Sequence, residues 1–488
     1  MGSRFLALLV LFGCAIFFLG ARDFGGGVDG GVHYAIADQL SENLAWPFSK
    51  DSFLSWIPHY PPGAHFLAAT IGAVVGSTLH ALFIVTAISV VVFYLVAADL
   101  MRGASLLKTI SHYAVFVILA IAFRKYRFLT GNEMIDNFFF AQLAGNAALM
   151  AGFCIIYRTA NLAFGRWLAI GFVTTHVVGW FFPLSAIELA LAAAIVRGAP
   201  MLALQTDTKK RIIEIAISAV ILAAAAVVHP TIIDMIVISA NDGGTTISDD
   251  TIIALVLGVL ILMPVFFITF LGSGSVRAGA IFALGVGALA PCLLLGILLF
   301  MGTGGSLYAV KKSGFLLGTV ACIMLSVLIV EFIDRIAQRR FSRYTNLLDS
   351  LRFSPLQTVI SCVFVAAVIF SVFFGRLSEP VGRLKSYDDD VRQLLSQGPP
   401  DSFYGSTLSM NSALTPHINF LIGYPLLRQT AATAVQHKLF ASKYPDLTNI
   451  KSVIVNVDEG SRYKSDCVIR SSERLKAISS DCILSKPP

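Results

Sequence analysis

The chain has 488 residues, of which 56% are hydrophobic and only 13% are charged, with a mean hydropathy of +0.77. Soluble domains carry about 25% charged residues, so this composition excludes a soluble protein and predicts an integral membrane protein. The net charge of +7 does not indicate a nucleic-acid partner, because the basic residues fall in short loops between apolar runs and in a polar C-terminal tail.

The first apolar run, 5–21, is longer than the usual core of a signal peptide and no A-x-A site follows it, so we interpret it as an uncleaved first span. Later runs complete a set of eleven predicted spans. They are 5–21, 79–98, 109–123, 138–157, 167–182, 184–196, 212–229, 251–271, 278–301, 314–333 and 357–375. The stretch 63–76 reads either as a further span or as an interfacial helix.

The distribution of Lys and Arg decides the topology. With 63–76 taken as an interfacial helix, fifteen fall in cytoplasmic segments and seven in the short outer loops. Counting 63–76 as a span would place "RRFSRYTNLLDSLR" outside. We therefore predict a cytoplasmic N-terminus and an extracytoplasmic C-terminus. The predicted outer segments are 22–78, 124–137, 230–250 and 376–488.

The first outer loop carries one carboxylate, Asp29, among the glycines of "FGGGVDGGVHYAIADQL". The following "HYAIADQLSENL" predicts a helix, and "HYPPGAHFLAA" places two prolines before the next one. One interpretation is a glycine hinge and a proline stop. The other is that glycine allows close approach of a ligand to Asp29 at the membrane face, with His33, Tyr34 and Tyr60 as substrate-binding candidates. The histidines of this loop share no ligand-type spacing, so we predict no metal site.

The second outer loop begins "RKYRFLTGNEMIDNFFF" and concentrates three cations, Arg124, Lys125 and Arg127. These side chains either snorkel at the interface or bind a phosphate group. Lys311 and Lys312, in "YAVKKSG", form a second cationic pair outside, with the same two interpretations.

An aspartate just beyond the first span, an amphipathic helix, and a YPP-type motif that opens an interfacial helix together resemble the first outer loop of the GT-C superfamily. These are polytopic glycosyltransferases that use polyprenyl-phosphate sugars. The resemblance is closest to the bacterial branch that includes lipid A aminoarabinose transferases and is akin to protein O-mannosyltransferases. It covers residues 1–200 in outline, and Gly30 stands where many of these proteins have a glutamate.

The resemblance implies an all-α polytopic membrane protein, GT-C-like, with about 11 transmembrane helices. It implies Asp29 as the general base of an inverting sugar transfer, Asp136 as a second acidic residue, and Glu133 nearby as its substitute. The donor would be a polyprenyl-phosphate sugar, and the acceptor a glycan, glycolipid or protein of the cell envelope. The implied location is a bacterial inner membrane with the site at its outer face. No cofactor is predicted, and a divalent metal ion is left open.

Glu188 lies within the sixth predicted span, close to its outer end. An ionisable group there is costly and is a candidate substrate-binding residue by default. The alternative is a structural contact with His176 on the preceding span.

The tail after the membrane module 1–375 mixes polar and apolar residues and contains the strand-like "SVIVNV", which predicts a small α+β domain over 376–488. Its "SYDDDVRQ" is predicted to be a solvated acidic run. Cys467 and Cys482 stand fifteen residues apart, and we predict a disulfide between them if the tail is extracytoplasmic. The alternative is two unrelated thiols.

Two other classes of function stay open. A transporter or lipid flippase would place polar residues in many spans and show related halves, neither of which is visible here. A non-catalytic assembly partner is the third interpretation.

Overall fold

The computed structural model describes residues 2–18, 27–43, 59–136, 138–197, 208–239, 245–270, 275–302, 306–340, 354–373, 381–397, 452–456, 463–479 and 481–482. Within these ranges the chain is almost entirely helical. The helices are α1 Gly2–Phe18, α2 Gly27–Asn43, α3 Gly63–Val75, α4 Thr78–Leu100, α5 Leu106–Phe123, α6 Glu133–Asp136, α7 Phe140–Arg158, α8 Phe164–Phe181, α9 Pro183–Val196, α10 Thr208–Val227, α11 Pro230–Ser239, α12 Asp249–Phe270, α13 Val276–Phe300, α14 Leu307–Arg340, α15 Ser354–Phe373 and α16 Val381–Ser396.

A helix occupies every one of the eleven predicted spans, and α3 occupies the predicted interfacial stretch. By length and composition, six helices of the described ranges are suited to crossing a bilayer, namely α4, α5, α7, α12, α13 and α14. The largest difference in bounds is at α14, which runs well beyond the predicted 314–333 at both ends. The prediction followed hydropathy, whereas backbone hydrogen bonding continues into the polar residues at the ends of a span.

The interior is built around α4, which packs against α1, α2, α3, α7 and α15. Aromatic side chains fill this interior, including Phe93, Tyr94, Phe116, Phe140 and Phe153, each fully buried. Large rigid rings bury much apolar area at little conformational cost, so they fix the relative positions of the helices that carry the outer loops.

The predicted outer segments meet at one end of the helix bundle, which we call the outer end. Four polar contacts show this. They are His59 Nδ1 to Asp234 Oδ1 (2.8 Å), Arg127 Nη1 to Thr246 Oγ1 (3.0 Å), Lys311 Nζ to Asp249 Oδ1 (2.6 Å) and Tyr34 OH to Asp388 Oδ2 (2.7 Å). Segments that are far apart in sequence therefore share one surface.

At the opposite end of the bundle, which we call the inner end, ion pairs join neighbouring segments of the chain. Lys108 Nζ lies 2.6 Å from Glu331 and 3.0 Å from Asp334. Arg158 pairs with Asp99 at 2.8 Å, and Arg197 with Glu214 at 3.2 Å. The charged residues thus sort to two ends, as the predicted topology requires, while the compartment that each end faces stays a prediction.

The tail contains a small α+β unit. Helix α16 packs on a three-stranded antiparallel sheet of β1 Ser452–Asn456, β2 Val468–Ser471 and β3 Leu475–Ser479, in the order β1-β3-β2. The predicted disulfide is confirmed, since Cys467 and Cys482 are bonded with their Cα atoms 5.8 Å apart.

The acidic run at the start of the tail is not solvated, and that prediction is wrong for two of its three aspartates. Asp388 and Asp390 are buried on α16, whereas Asp389 is exposed and pairs with Lys385. The two aspartates lie on different sides of α16, and each is buried by a partner distant in sequence, which the linear sequence does not reveal; Asp388 accepts a hydrogen bond from Tyr34 of α2. Asp390 accepts hydrogen bonds from the backbone and side chain of Arg474.

Candidate active site

Helix α2 carries the candidates of the first outer loop. The helix begins at Gly27, six residues before the start expected at His33. Asp29 therefore lies in its first turn. The alternative of a glycine hinge does not apply to Gly27, Gly30 and Gly31, which are helical; Gly25 and Gly26 lie outside the described residues. The helix packs against α3, α4 and the ring of Phe138, which lies beside Gly30. The Asp29 side chain lies outside the described residues, so its role as general base stays a prediction.

Two histidines of this loop form a buried pair between α2 and α3. His33 Nδ1 lies 2.8 Å from His65 Nε2, and His65 Nδ1 lies 3.0 Å from the carbonyl oxygen of Pro61. Burial lowers the pKa of His65 to about 4. Burial, His65 and Lys312 together hold the pKa of His33 well below 6.5. Both rings are therefore neutral near pH 7.

The YPP motif fixes the start of α3 beside this pair. The Tyr60 ring packs edge-on against His33, with centroids 5.1 Å apart. Gly63 opens the helix where it passes the end of α8, and a Cβ at that position would lie 2.9 Å from the backbone oxygen of Trp180. Only glycine allows this approach without a shift, so the motif sets both the chain direction and the packing.

Tyr34, a predicted substrate-binding residue, contacts the tail. Its buried hydroxyl donates to Asp388 at 2.7 Å and accepts from Arg392 Nη2 at 2.9 Å. Burial, Asp388 and Asp38 raise the pKa of Tyr34 well above its ordinary value, so the donor proton stays in place. Arg392 also pairs with Asp38 at 2.7 Å, which ties α2 to α16 along more than one turn. A contact of Tyr34 with substrate stays a prediction.

The three cations of the second loop lie on one tight turn. Residues Arg124–Tyr126 form a 3₁₀ turn, and Arg127 follows with a left-handed φ of 61°. Lys125 lies over the Tyr126 ring at 4.8 Å, and Arg127 donates to Thr246. The turn presents several positive groups within a few residues, which is the arrangement that a phosphate group requires.

The acidic candidates of the same loop follow this turn. Glu133 is fully buried and accepts a hydrogen bond from the backbone N–H of Thr246. Burial raises its pKa, and the bonds from Thr246 oppose that shift. Asp136 ends α6, and its side chain lies outside the described residues. The ring of Phe138, two residues on, lies beside Gly30, the residue that follows Asp29.

Lys311 and Lys312 are adjacent in sequence but differ in their surroundings. Lys311 is mostly buried and pairs with Asp249. The Lys312 ammonium lies over the rings of Tyr308 at 4.3 Å and Phe139 at 4.6 Å. The positive charge of Lys312 also helps to lower the pKa of His33. Their use in binding substrate stays a prediction.

An apolar groove of about 670 Å³ lies beside the cationic turn, between α5, α12 and α14. It extends from Asp250 to Val265 along α12, roughly 22 Å at 1.5 Å per residue. Tyr126 and Phe128 line it, so the second loop borders the groove on one side and, through Phe138, packs on α2 at the other. The remaining lining residues are Phe123, Thr251, Ala254, Leu255, Gly258, Val259, Ile261, Leu262, Gly318, Ala321, Cys322 and Leu325.

Glu188 is buried on α9, where α13 passes so closely that a Cβ at Gly287 would lie 2.5 Å from the Glu188 backbone oxygen. No hydrogen bond joins Glu188 to His176 among the described residues. His176 packs against the rings of Trp180 and His229. Within the same part of the chain, no three His, Cys, Asp or Glu residues are grouped so as to hold a metal ion.

Sequence reasoning missed two features of this end of the molecule. Asp38 and Arg392 are separated by 354 residues, and nothing in the local sequence pairs them. The groove is formed by side chains of three helices, each of which reads as an ordinary span. Both histidines of the pair lie in sequence motifs of the first outer loop, His33 in the glycine-rich stretch and His65 after the YPP motif. Their spacing in the sequence does not reveal that the two rings are in contact.

The fold is similar to that of a solved membrane protein of low sequence identity. The structure of ArnT from Cupriavidus metallidurans bound to undecaprenyl phosphate matches with a TM-score of 0.50 at 11% identity, covering 100% of both chains. Its apo state matches with a TM-score of 0.48 at 12% identity, covering 99% of this chain and 98% of that one. The archaeal oligosaccharyltransferase AglB from Archaeoglobus fulgidus, solved with an inhibitory peptide and a dolichol-phosphate, matches with a TM-score of 0.37 at 13% identity, covering 94% of this chain and 70% of that one.

The resemblance noted in the first outer loop is thereby confirmed at the level of the fold, including the polytopic helical architecture. No protein-family profile matches the sequence, and no curated protein matches it.

Proposed function

We propose that this chain is a membrane glycosyltransferase that moves a sugar from a polyprenyl-phosphate donor to an acceptor of the cell envelope. The observation that carries the proposal is the apolar groove that ends beside the cationic turn of the second outer loop. Among the residues that the structure describes, the one charged residue that lines the groove is Asp250, and the cationic turn adjoins it through Tyr126. An apolar cleft that adjoins a cationic turn fits a lipid whose head group is a phosphate. The structure of ArnT from Cupriavidus metallidurans, which is similar in fold, was solved with undecaprenyl phosphate, which supports the same class of ligand.

The groove would hold part of the polyprenyl chain. Its volume lies within the usual range for small-molecule pockets, and its lining is almost wholly aliphatic or aromatic. Along α12 it covers roughly 22 Å, about two thirds of a 30 Å hydrocarbon core, so several isoprene units would be buried in it.

The cationic turn would bind the phosphate. Arg124, Lys125 and Arg127 would supply charge-assisted hydrogen bonds, which grow stronger as the leaving phosphate gains negative charge. Lys311 and Lys312, at the outer end of α14, would add positive field beside the same site. Interactions that strengthen as the bond breaks accelerate the chemical step rather than only tightening binding.

The chemistry would be a single displacement. Asp29 would take the proton from an acceptor hydroxyl, the hydroxyl oxygen would form a bond to the anomeric carbon, and the bond from that carbon to the phosphate oxygen would break. The configuration inverts, and the polyprenyl phosphate departs toward the cationic turn. Asp136 and Glu133, on the facing loop, would orient the sugar or the acceptor, with Tyr60 and Glu188 as further contacts. General base catalysis is typically worth 10²–10⁴-fold.

We place the protein in a bacterial inner membrane, with its N-terminus cytoplasmic, its membrane module over 1–375 and the domain 376–488 outside. The Lys and Arg distribution supports this orientation, and so does the disulfide in the tail, because disulfides persist in oxidising compartments. The partners would then be a donor lipid, a glycan, glycolipid or protein acceptor, and membrane lipid.

The second candidate is a lipid flippase or transporter, which a lipid-binding groove also favours. The purified protein in nanodiscs should be incubated with radiolabelled polyprenyl-phosphate sugars and cell-envelope acceptors. Sugar transfer at a rate that scales with protein supports the transferase. Movement of labelled lipid across a vesicle bilayer without transfer would replace it with the second candidate.

A further inference from the structure

The histidine pair beside α2 has a fixed direction of hydrogen bonding. The carbonyl oxygen of Pro61 is only an acceptor, so the His65 nitrogen that contacts it at 3.0 Å, Nδ1, carries the proton. In a neutral imidazole the other nitrogen is then an acceptor. His65 Nε2 therefore accepts, and the His33 Nδ1 at 2.8 Å donates to it.

This direction leaves the far nitrogen of His33 without a proton. Because His33 is neutral and its Nδ1 carries the hydrogen, Nε2 is a lone-pair acceptor. Within the described residues no hydrogen bond to His33 Nε2 is found, and this atom is not among the enclosed polar atoms that lack a partner, although only 2% of the His33 surface is exposed. An acceptor of this kind is open to a hydrogen bond from water or a ligand.

The ring of His33 is held firmly in this orientation. It contacts the rings of Tyr60, Phe138 and Phe140 at centroid distances of 5.1, 6.0 and 5.6 Å. Packing on several sides fixes the orientation of the ring and therefore the direction of its polar atom. A fixed direction is what a group needs in order to orient a substrate.

The position of His33 on α2 relates it to the proposed base. Positions 29 and 33 are four residues apart in one helix, so they lie on the same face, about 6 Å apart along its axis. Side chains at the two positions can therefore contact the same sugar-sized molecule.

We infer that His33 Nε2 accepts a hydrogen bond from a hydroxyl of the acceptor substrate, and that His65 is the positioning residue that keeps this nitrogen unprotonated. The inference rests on the proposed function, because the hydroxyl it binds is carried by the substrate of the transfer. His33 does not take the reacting proton; it orients the acceptor next to position 29. The device selects hydroxyl-bearing acceptors over those that present only hydrogen-bond acceptors.

The first test reads the tautomer directly. The full-length protein, labelled with ¹⁵N-histidine and held in nanodiscs, should give a His33 signal with Nδ1 protonated and Nε2 not. The His33→Asn variant assigns that signal by removing it. Addition of the acceptor mixture should shift the Nε2 resonance. A proton on Nε2 in the wild type would overturn the inference whatever the enzyme's activity.

The second test separates the two nitrogens. In His33→Asn the amide nitrogen stands near Nδ1 and still donates to His65, while the acceptor at Nε2 is lost. In His33→Gln the amide oxygen reaches the Nε2 position and keeps an acceptor. We expect His33→Asn to raise KM for the acceptor by about 3- to 10-fold with little change in kcat or in donor KM, and His33→Gln to restore most of it.

His65→Phe keeps a ring of similar size and removes the nitrogen that orients His33. We expect a mixed tautomer of His33 and a similar rise in acceptor KM, not additive with His33→Asn. His80→Asn is the matched control, because His80 also lies at the outer end but bonds to Ser77. Unchanged acceptor KM in both His33→Asn and His65→Phe would overturn the inference.

The pH profile gives a third measurement. The titratable groups facing His33 are Tyr60, His65 on α3 and Lys312 on α14, and the last two act to keep it neutral. Because the pKa of His33 lies well below 6.5, the acceptor KM should show no transition near pH 6.5, and a rise centred there would contradict the arrangement. A wild type that transfers no sugar but shows the unprotonated, ligand-sensitive Nε2 would sink the proposed function and keep the hydroxyl-binding site.

Discussion

The two ends of the helix bundle use charge in different ways. At the inner end, Lys108, Arg158 and Arg197 each face a carboxylate within 3.2 Å, so acid and base compensate each other. At the outer end Lys311 and Arg392 also pair with carboxylates, but this end adds a neutral histidine pair between α2 and α3, a lysine lying over two aromatic rings and a cationic turn. Paired charges close loops and stabilise a fold, whereas donors and acceptors directed at a cavity or groove are available to a ligand.

The difference predicts that substitutions at the outer end change turnover and substitutions at the inner end change stability. Asp29→Asn preserves shape and removes basicity, so transfer should fall by at least ~100-fold while the protein expresses and folds normally. The measurement is the initial rate of radiolabelled sugar transfer. Asp234→Asn is the control, since Asp234 lies at the same end and pairs with His59. Near wild-type turnover in Asp29→Asn would falsify the assignment of the base and direct attention to Asp136.

The disulfide distinguishes the two ends by compartment. If the outer end faces an oxidising compartment, protein taken from its native membrane should yield a cross-linked peptide containing Cys467 and Cys482 in unreduced mass spectra. Replacing both by serine should lower the stability of the tail by about 3 kcal/mol in the chain-entropy model, measured as faster proteolysis of the tail. The substitution Cys14→Ser, in α1, serves as the control. Two freely alkylated thiols would contradict the assigned orientation.

The cationic turn should act on the donor and not on the acceptor. Single changes of Arg124, Lys125 and Arg127 to glutamine each remove charge-assisted hydrogen bonds, worth about 1.5–3 kcal/mol each when fully formed. We expect donor KM to rise by roughly 10- to 100-fold for the residue that contacts the phosphate and less for the others. Lys209→Gln, at the inner end, is the control. Unchanged donor saturation in all three variants would leave the turn an interfacial anchor.

The contact between α2 and the tail tests whether the outer end depends on the C-terminal domain. Arg392→Gln removes the ion pairs with Asp38 and Asp388. Because the guanidinium is partly exposed, we expect a loss of only about 1 kcal/mol in the docking of α16. A double-mutant cycle with Asp38→Asn, read by hydrogen exchange of α2, measures the coupling. An additive cycle would show that the domain does not hold this helix.

The smallest effect is expected at the inner end. Lys108→Gln loses the pairs with Glu331 and Asp334 at a partly exposed site. The free energy of unfolding should therefore fall by about 0.5–1 kcal/mol, and the melting temperature should fall slightly. Transfer kinetics should stay at the wild-type level. A large loss of turnover with an unchanged melting temperature would erase the contrast between the two ends.

The sequence alone determined the class of the molecule and the order of its helices. Backbone polar groups in a bilayer are satisfied within helices, so the apolar runs predicted helices, and a helix occupies each of the eleven predicted spans. The bias of Lys and Arg gave the predicted outer segments. The disulfide followed in the same way, because its two cysteines are the only ones outside the apolar runs. Asp29, Tyr60 and the cationic turn could be selected as candidate site residues because each lies in a short motif that is recognisable in the local sequence.

Only the tertiary structure determines which contacts the residues of those motifs make. Helix α2 begins at Gly27, against the propensity of glycine, because packing on α3, α4 and Phe138 outweighs about 1 kcal/mol per residue of intrinsic preference. The pairing of Tyr34 with Asp388 joins segments 354 residues apart, and the groove draws its lining from three helices. The proton arrangement of His33 and His65 depends on atoms meeting at 2.8 Å, and no spacing in the sequence encodes that distance. Long-range contacts of this kind arise from how helices fill space, which a local pattern does not specify.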